Sequence, residues 1–348
     1  MEQSLQLDRI SIRNQLQQKY MNTQKHGSPV SEPQVSIVIP LYNEEEYISD
    51  CLTSLVNQDF PANKFEIIVV DNGSSDKSLD ISIRFDVAVY SLPDVKVGAV
   101  RNYGASVSRG EILVFIDADC TADENWLSRG VSVLADYDAV GGLVKLRDNP
   151  SWVEKYWILN DSNTFIYQHT FSGACIFINK QIFESVNGFS SELNAGEDSK
   201  LTYDLIDRRY RISINPELNV THLGYPQTVS NFINRQRWHS ADYAFQLHRV
   251  FRDKTLFLTV TYLIMFVVMG AGIATNNLQA TSVSVLFLLI IPMIFSLKRI
   301  VRYGGLRNDL NVFAIYAIDS LYVIGRVMGL LEGIGRVLLG KRAIKIDQ

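Results

Sequence analysis

The sequence of 348 residues has few cysteines and few prolines, three and nine respectively. Cys51, Cys120 and Cys175 lie far apart and form no Cys-x-x-Cys pair, which argues against both a disulfide framework and a cysteine zinc site. Hydrophobic residues make up 47% of the chain and charged residues 20%. This composition excludes a disordered or low-complexity protein.

Charge of the two signs is unevenly distributed along the chain. Residues 1–250 carry 22 Lys and Arg against 32 Asp and Glu, whereas residues 251–348 carry 11 against 5. An acidic body with a basic, apolar tail is not typical of a nucleic-acid binder and favours a soluble head attached to membrane lipids. The first 30 residues lack the apolar core of a signal peptide, so we expect a head that is not exported. We expect residues 1–34 to form an N-terminal lead-in, a segment that precedes the head.

No charged residue occurs from Thr255 to Leu297. If this run is helical, with a rise of about 1.5 Å per residue, its length is roughly twice the ~30 Å hydrocarbon thickness of a bilayer. The polar break at 276–279 predicts a hairpin of spanning helices over about 255–275 and 281–297. Basic residues flank both ends, which predicts that the ends and the head lie on the cytoplasmic face of the inner or plasma membrane. The alternative is a buried helical hairpin in a soluble protein.

Residues 311–339 are apolar and rich in glycine but carry four charges. Because charges are costly at the bilayer centre, an interfacial helix is favoured, and a third span remains the alternative. The predicted organisation is therefore a head over 35–250 followed by a membrane domain over 251–348.

The head alternates between predicted strands and helices. Apolar, β-branched runs predict strands over about 35–39, 67–70, 87–90 and 112–116, with helical patterns between them. The first of these helices is predicted to begin near Asn43 or Glu44. This order predicts an α/β fold with a parallel sheet covered on both faces. Polar clusters follow three of the strands, at 40–44, 71–76 and 117–119. Ligands bind at the carboxyl ends of such strands.

The chemistry of these clusters favours a cation. The first strand is not followed by Gly-x-Gly-x-x-Gly, and no Gly-x-x-x-x-Gly-Lys-Ser/Thr occurs, which weakens dinucleotide and P-loop interpretations. Carboxylates repel phosphate unless a divalent cation bridges them. Asp117 and Asp119 could present oxygen ligands to Mg²⁺ or Mn²⁺ holding a diphosphate. A solvated loop is the alternative for this pair alone.

Five segments in a fixed order connect the chain to a known family. They are 35–44 (VSIVIPLYNE), 67–76 (IIVVDNGSSD), 100–104 (VRNYG), 114–119 (VFIDAD) and 196–198 (GED). With them the chain resembles the family 2 glycosyltransferases over about residues 35–240. The resemblance implies an inverting enzyme with a GT-A fold, which is a Rossmann-like, mixed, mainly parallel sheet, here joined to C-terminal transmembrane or interfacial helices.

The resemblance also implies a nucleotide-diphosphate sugar as donor, UDP-linked in our expectation. The residues expected to line its nucleotide pocket are Pro40, Tyr42, Asn43 and Glu44. Asp71 would accept a hydrogen bond from uracil, and Arg101 would contact the nucleotide or its diphosphate. Asp117 would touch ribose or metal, and Asp119 would bind the metal. The alternatives are an Asx-turn at Asp71 and Asp76 and a surface ion pair at Arg101.

On the acceptor side, the resemblance places Gly173 and Ala174 beside the donor sugar. Asp198 would be the general base that takes the proton of the acceptor hydroxyl, and Glu197 would orient the acceptor. The structural alternative for both carboxylates is a favourable position at a helix N-terminus. His222 follows a strand predicted over 218–221 and would be a further metal ligand, or else a satisfied core histidine.

Arg237 and Trp238 match part of the Gln-x-x-Arg-Trp motif of processive synthases, with Trp238 stacking on acceptor sugar. Asn234 stands in the Gln position, which argues against a polymer-extruding enzyme. Alternatively, Trp238 docks the head on the membrane.

The expected function is metal-dependent transfer of a sugar to a hydroxyl of a lipid-linked glycan in surface polysaccharide synthesis. The alternatives are transfer to polyprenyl phosphate itself and a non-catalytic nucleotide-sugar-binding subunit.

Overall fold

The computed structural model describes residues 32–159, 170–193, 195–241, 243–244, 247, 250–251, 253–302, 305 and 311–339. Most of the predicted lead-in over 1–34 lies outside the described residues. Within them, contacts divide the chain into two compact units. The first unit contains the described residues up to Lys145 and those from 170 to Gly224. The second contains those from Leu146 to 159 and those from Tyr225 onward.

The bounds of the elements follow the chain. The strands are β1 (Val35–Leu41), β2 (Phe65–Asp71), β3 (Ala88–Ser91), β4 (Ile112–Phe115), β5 (Cys120–Ala122), β6 (Ala139–Lys145), β7 (Ile176–Asn179) and β8 (Ile212–His222). The helices are α1 (Ile48–Val56), α2 (Ser78–Ser82), α3 (Val97–Val107), α4 (Trp126–Leu134), α5 (Trp152–Ile158), α6 (Lys180–Ser185), α7 (Glu197–Asp207), α8 (Val229–Ser240), α9 (Lys254–Ala274), α10 (Leu278–Arg302) and α11 (Val312–Leu338).

The eight strands form one sheet in the first unit, in the order β3-β2-β1-β4-β7-β6-β8-β5. The pairs β1 with β2, β1 with β4, β2 with β3 and β6 with β8 are parallel, and the other three pairs are antiparallel. The predicted class, a mixed and mainly parallel α/β sheet with apolar C-terminal helices, is confirmed.

The central strand β1 shows why the sheet forms here. Six of its seven residues are buried, as expected of a strand covered on both faces. It extends to Leu41, two residues beyond the predicted end at Ile39, and so includes Pro40. Proline is tolerated because β4 pairs with β1 only as far as Val38, so the missing N–H breaks no bond on that side.

Apolar side chains pack on both faces of the sheet. One face holds the buried residues of α1 and α4 against β1, with Trp126 against Phe177 at 4.8 Å between ring centroids. The other holds Phe115, Phe183 and Phe189 in mutual contact with α7. This packing fixes the carboxyl ends of β1, β2 and β4, from which the polar loops emerge.

The second unit contains three long apolar helices. α9, α10 and α11 have 21, 25 and 27 residues and mean hydropathy maxima of 2.3, 2.3 and 1.5, so each is long and apolar enough to cross a membrane. Asn276 and Asn277 separate α9 from α10, as predicted for the hairpin. The segment predicted over 311–339 is one continuous helix.

Helix α8 packs against α11 through a row of glycines. A Cβ atom added to Gly329 would lie 2.1 Å from the backbone oxygen of Arg237, and one added to Gly333 would lie 2.1 Å from that of Ala241. A Cβ atom added to Gly325 would lie 2.7 Å from Gln236 Cβ and 3.0 Å from the backbone oxygen of Ile233. The three glycines, spaced four apart on one face of α11, therefore let the two backbones approach each other.

Candidate active site

The segments after β1 and β2 are joined by hydrogen bonds from backbone N–H groups to side-chain oxygens. Asn43 adopts a left-handed conformation with φ of 54°, and its N–H donates to Ser74 Oγ at 3.0 Å. In return, the N–H of Ser75 donates to Asn43 Oδ1 at 2.8 Å. The N–H of Glu44 donates to Ser78 Oγ at 2.7 Å. The structure therefore brings the polar segments 42–44 and 71–76, which contain the predicted pocket residues Tyr42, Asn43, Glu44 and Asp71, to one edge of the sheet.

Asp71 holds its own loop together. Its side chain is buried, and its Oδ2 and Oδ1 accept the N–H groups of Gly73 at 3.0 Å and Ser74 at 3.1 Å. The Asx-turn foreseen as the structural alternative for Asp71 is thus present. Each oxygen of a carboxylate has a second lone pair, so this turn still leaves acceptor capacity.

Arg101 lies at the centre of a buried cluster of charges. Its Nη2 donates to Asp117 Oδ1 and its Nη1 to Glu197 Oε1, both at 2.6 Å. The Arg101 side chain is 4% exposed, so the expected alternative of a surface ion pair is wrong. Its guanidinium also lies 5.4 Å from the centroid of the Phe189 ring. Burial disfavours the charge, but the carboxylates of Asp117 and Glu197 outweigh burial and raise the pKa of Arg101.

The acceptor-side loop closes on the same cluster. The N–H of Gly173 donates to Asp198 Oδ2 at 3.0 Å, and the N–H of Ser199 donates to Oδ1 at 2.6 Å. A Cβ atom at Gly173 would lie 2.6 Å from Arg101 Nη2, so glycine is required for the approach of Arg101. The Ala174 side chain is buried in the core. Asp117, Gly173, Glu197 and Asp198 therefore meet around Arg101.

Asp119 and His222 form the candidate metal site. His222 Nε2 lies 3.2 Å from Asp119 Oδ2, and one ligand atom each from Asp119, Cys120 and His222 falls within 4.8 Å of the others. Burial, followed by the charge of Asp119, raises the pKa of the Cys120 thiol well above its ordinary value in the absence of a metal. Asp119 and His222 thus fit a divalent cation, with one oxygen and one nitrogen donor.

Two further positions contribute to this site without a clear signal in the sequence. A Cβ atom at Gly224 would lie 2.1 Å from Asp119 Oδ2, so glycine leaves the space that the carboxylate occupies. Cys51 lies beneath the loops, where burial and then the charges of Asp119 and Asp117 raise its thiol pKa. Of these two residues, only Gly224 could have been singled out from the sequence, because it lies two positions after His222.

Arg237 and Trp238 belong to the second unit. Arg237 Nε donates to Glu332 Oε2 of α11 at 2.6 Å. The Trp238 side chain is 40% exposed and its ring lies 4.9 Å from that of His239. The structure therefore gives Arg237 a carboxylate partner and leaves the Trp238 ring accessible.

These features define a class of α/β protein with a polar, carboxylate-rich site at the carboxyl edge of its sheet. The sequence profile of glycosyl transferase family 2 matches residues 36–186. The glycosyltransferase AglE of Haloferax volcanii is 32% identical over 207 residues, which cover 56% of this chain and 68% of AglE. The chain belongs to glycosyltransferase family 2 and is a glycosyltransferase.

Two other similarities are more distant. A Methanococcus voltae enzyme named dolichyl N-acetyl-alpha-D-glucosaminyl phosphate 3-beta-D-2,3-diacetamido-2,3-dideoxy-beta-D-glucuronosyltransferase is 24% identical, with 58% of this chain and 70% of that one covered. Among solved structures, the mannosyltransferase PcManGT of Pyrobaculum calidifontis, in complex with GDP-Man and Mn²⁺, gives a TM-score of 0.48. It is 19% identical, with 93% of each chain covered.

Proposed function

We propose that this glycosyltransferase transfers a sugar, with inversion, from a nucleotide-diphosphate sugar to a hydroxyl of a lipid-linked glycan. The observation that carries the proposal is the Arg101 cluster. One guanidinium binds both Asp117, two residues before Asp119, and Glu197, the neighbour of Asp198. A candidate metal ligand and a candidate base are thereby held at one edge of the sheet, as a single displacement requires.

Asp119 and His222 would hold the metal, and Asp117 would contribute the carboxylate oxygen that does not accept from Arg101. An imidazole nitrogen is a softer donor than oxygen, so this set favours Mn²⁺ over Mg²⁺. When bound, the ion would neutralise charge on the departing diphosphate. The loops of residues 40–44 and 71–76 would bind the nucleotide, with Asp71 accepting from the base of a UDP-linked donor.

Asp198 would act as the base in a single displacement. The acceptor oxygen forms a bond to the anomeric carbon while the bond from that carbon to the diphosphate oxygen breaks, and the hydroxyl proton passes to the Asp198 carboxylate. The N–H groups of Gly173 and Ser199 fix the orientation of this carboxylate. Each oxygen retains a lone pair toward the acceptor, so the arrangement is compatible with general-base catalysis.

The second unit supports a membrane acceptor and a head on the cytoplasmic face. Lys254 begins α9, and Lys298, Arg299 and Arg302 lie at the end of α10. The two helices form a hairpin, so these cations lie at the same end, which the positive-inside rule assigns to the cytoplasm. The name of the Methanococcus relative includes a dolichyl-linked substrate. A polyprenyl-linked glycan destined for a surface polysaccharide is the acceptor that we infer.

The test compares Asp198→Asn with Asp204→Asn in the full chain, purified in detergent. Asp204 lies on the same helix and pairs with Lys200 at the surface. We expect Asp198→Asn to lower kcat several hundredfold while donor binding is retained, and Asp204→Asn to be active. If Asp198→Asn keeps most of its turnover, the hydroxyl acceptor is excluded and transfer to polyprenyl phosphate, which needs no strong base, is favoured.

A separate measurement tests the metal site. Titration calorimetry with Mn²⁺ and UDP is expected to show Mn²⁺-dependent UDP binding in the unaltered chain and its loss in Asp119→Ala. Retention of that dependence in Asp119→Ala would contradict the assignment. Tight binding of UDP and Mn²⁺ without turnover on any lipid-linked acceptor would favour the non-catalytic alternative.

A further inference from the structure

Arg326 differs from the other charged side chains described on α11. Asp319 pairs with Arg299 at 3.2 Å, and Glu332 pairs with both Arg237 and Arg336. Within the described part of the chain, no carboxylate lies within ion-pair distance of the Arg326 guanidinium. Among the described residues, Arg326 Nη1 donates a hydrogen bond to Tyr243 Oη at 3.1 Å, and the buried Arg326 Nε has no hydrogen-bond partner.

Aromatic rings frame this guanidinium. Arg326 Cζ lies 4.9 Å from the centroid of the Tyr322 ring and 5.6 Å from that of Tyr243. Such contacts stabilise a cation but do not neutralise its charge. Tyr322 belongs to the same hydrophobic cluster as Leu258 and Tyr262 of α9, so one side of the Arg326 site borders a helix apolar enough to span a membrane.

The titratable groups described near Arg326 do not supply an anion that pairs with it. Partial burial of the His239 ring, followed by the charges of Arg326 and Arg235, lowers the pKa of His239 to about 4, so this histidine is neutral near pH 7. A carboxylate in the neighbourhood, that of Asp253, caps α9 by accepting the N–H groups of Thr255 and Leu256 through its Oδ1. The arrangement provides a guanidinium with unused donors and no matching anion among the described residues.

We propose that Arg326, Tyr243 and Tyr322 bind the phosphate of a membrane lipid, namely the phosphate or diphosphate that links the acceptor glycan to its polyprenyl chain. A charge on an apolar helix is costly unless it is compensated, and basic pockets between membrane helices bind lipid phosphates. The planar guanidinium matches phosphate oxygens, the Tyr243 hydroxyl beside it can donate to them, and the Tyr322 ring packs on the guanidinium. This inference rests on the proposed lipid-linked acceptor and adds the site that anchors it.

The test uses the full chain in nanodiscs of neutral phosphatidylcholine. A long-chain polyprenyl phosphate is titrated, and binding is followed by microscale thermophoresis for the unaltered chain, Arg326→Gln, Arg326→Lys and Arg302→Gln. Arg302 is an exposed cation at the end of α10 and serves as a matched control for general attraction to anionic lipid. We expect Arg326→Gln to weaken binding at least tenfold, Arg326→Lys to weaken it less, and Arg302→Gln to change it less than twofold.

Equal affinity of Arg326→Gln and the unaltered chain for polyprenyl phosphate would overturn the proposal, as would an equal loss of affinity in Arg302→Gln.

Competition with phosphatidylglycerol distinguishes the source of the phosphate. If phosphatidylglycerol competes with polyprenyl phosphate on equal terms, the assignment to the acceptor is overturned. Mn²⁺-dependent UDP binding, measured in parallel, separates this result from a failure of the proposed function, because the donor site lies in the other unit and should be retained in Arg326→Gln. Thermal unfolding without lipid verifies that each variant is folded.

Discussion

Replacing Arg101 by methionine tests whether the buried cluster organises the active site. The change keeps an unbranched side chain of similar length but removes the positive charge and both 2.6 Å hydrogen bonds. It leaves the carboxylates of Asp117 and Glu197 facing each other without the guanidinium between them. We expect the folded protein to lose stability and the site to lose its geometry.

The size of the effect depends on how far water can reach the two carboxylates. Removing one partner of a buried ion pair costs about 3–5 kcal/mol. The Glu197 side chain is 8% exposed but that of Asp117 is 30% exposed, so water can solvate part of the uncompensated charge. We therefore expect the lower end, ~3 kcal/mol. At about 2–4 °C per kcal/mol for a domain of this size, the Tm should fall by about 6–12 °C.

Thermal unfolding of the full chain in detergent, followed by tryptophan fluorescence, measures this loss. The matched control is Lys200→Met, which removes a cation of comparable length from the exposed pair with Asp204. Such pairs contribute about 0.3–0.5 kcal/mol, so its Tm should fall by about 2 °C at most. Arg101→Lys keeps the charge but not the fork that reaches both carboxylates, and its Tm should lie between those of Arg101→Met and the unaltered chain.

A Tm for Arg101→Met within about 2 °C of the unaltered chain would refute this reasoning. It would mean that Asp117 and Glu197 are independent of Arg101. A stable Arg101→Met protein with full turnover would further show that the cluster does not position the site.

Three other results are expected. Burial raises the pKa of the Cys175 thiol to about 12, and all three cysteines are buried, so a thiol reagent at pH 8 should label the chain only after denaturation. Burial opposes the charge of Asp76, but hydrogen bonds from Ser78 hold its pKa below 3.8. Asp76→Asn should therefore lower the Tm at pH 7, with a difference that shrinks as the pH falls below about 4. Gly329→Ala should lower the Tm, because its methyl group would collide with the backbone oxygen of Arg237.

Strands β1, β2, β3 and β4 were predictable because each is a short, apolar, β-branched run, and their observed bounds differ from the predicted ones by one or two residues. Strands β5, β6 and β7 were not predicted. Helix α1 was predicted to begin near Asn43 or Glu44, but it begins at Ile48. Asn43 is in the left-handed region, and the N–H groups of residues 43–45 bind side chains of the loop after β2. These bonds replace the first helical turn, and no local pattern in the sequence encodes them.

The pairing of charges was less accessible to sequence reasoning than their presence. Arg101 and Glu197 were both singled out, but 96 positions separate them, and only the folded sheet shows that they share an ion pair. The same holds for Arg237, whose carboxylate partner, Glu332, lies 95 positions away on α11. Spacing along the chain predicts contacts within a helix or a hairpin, whereas these contacts depend on which elements the core packs together.

This difference explains why Arg326 could be recognised only from the structure. In the sequence it is one of four charges that interrupt an apolar stretch, and all four argue equally for an interfacial helix. In the folded unit, α8 and α10 supply opposite charges to Glu332 and Asp319, whereas Arg326 receives two tyrosine rings and one phenol oxygen. A helix that neutralises its other charges internally has the means to neutralise this one as well. Because no described carboxylate pairs with Arg326, its charge is better explained by an anion that arrives from outside the described residues, and the membrane beside α9 is where a lipid phosphate would come from.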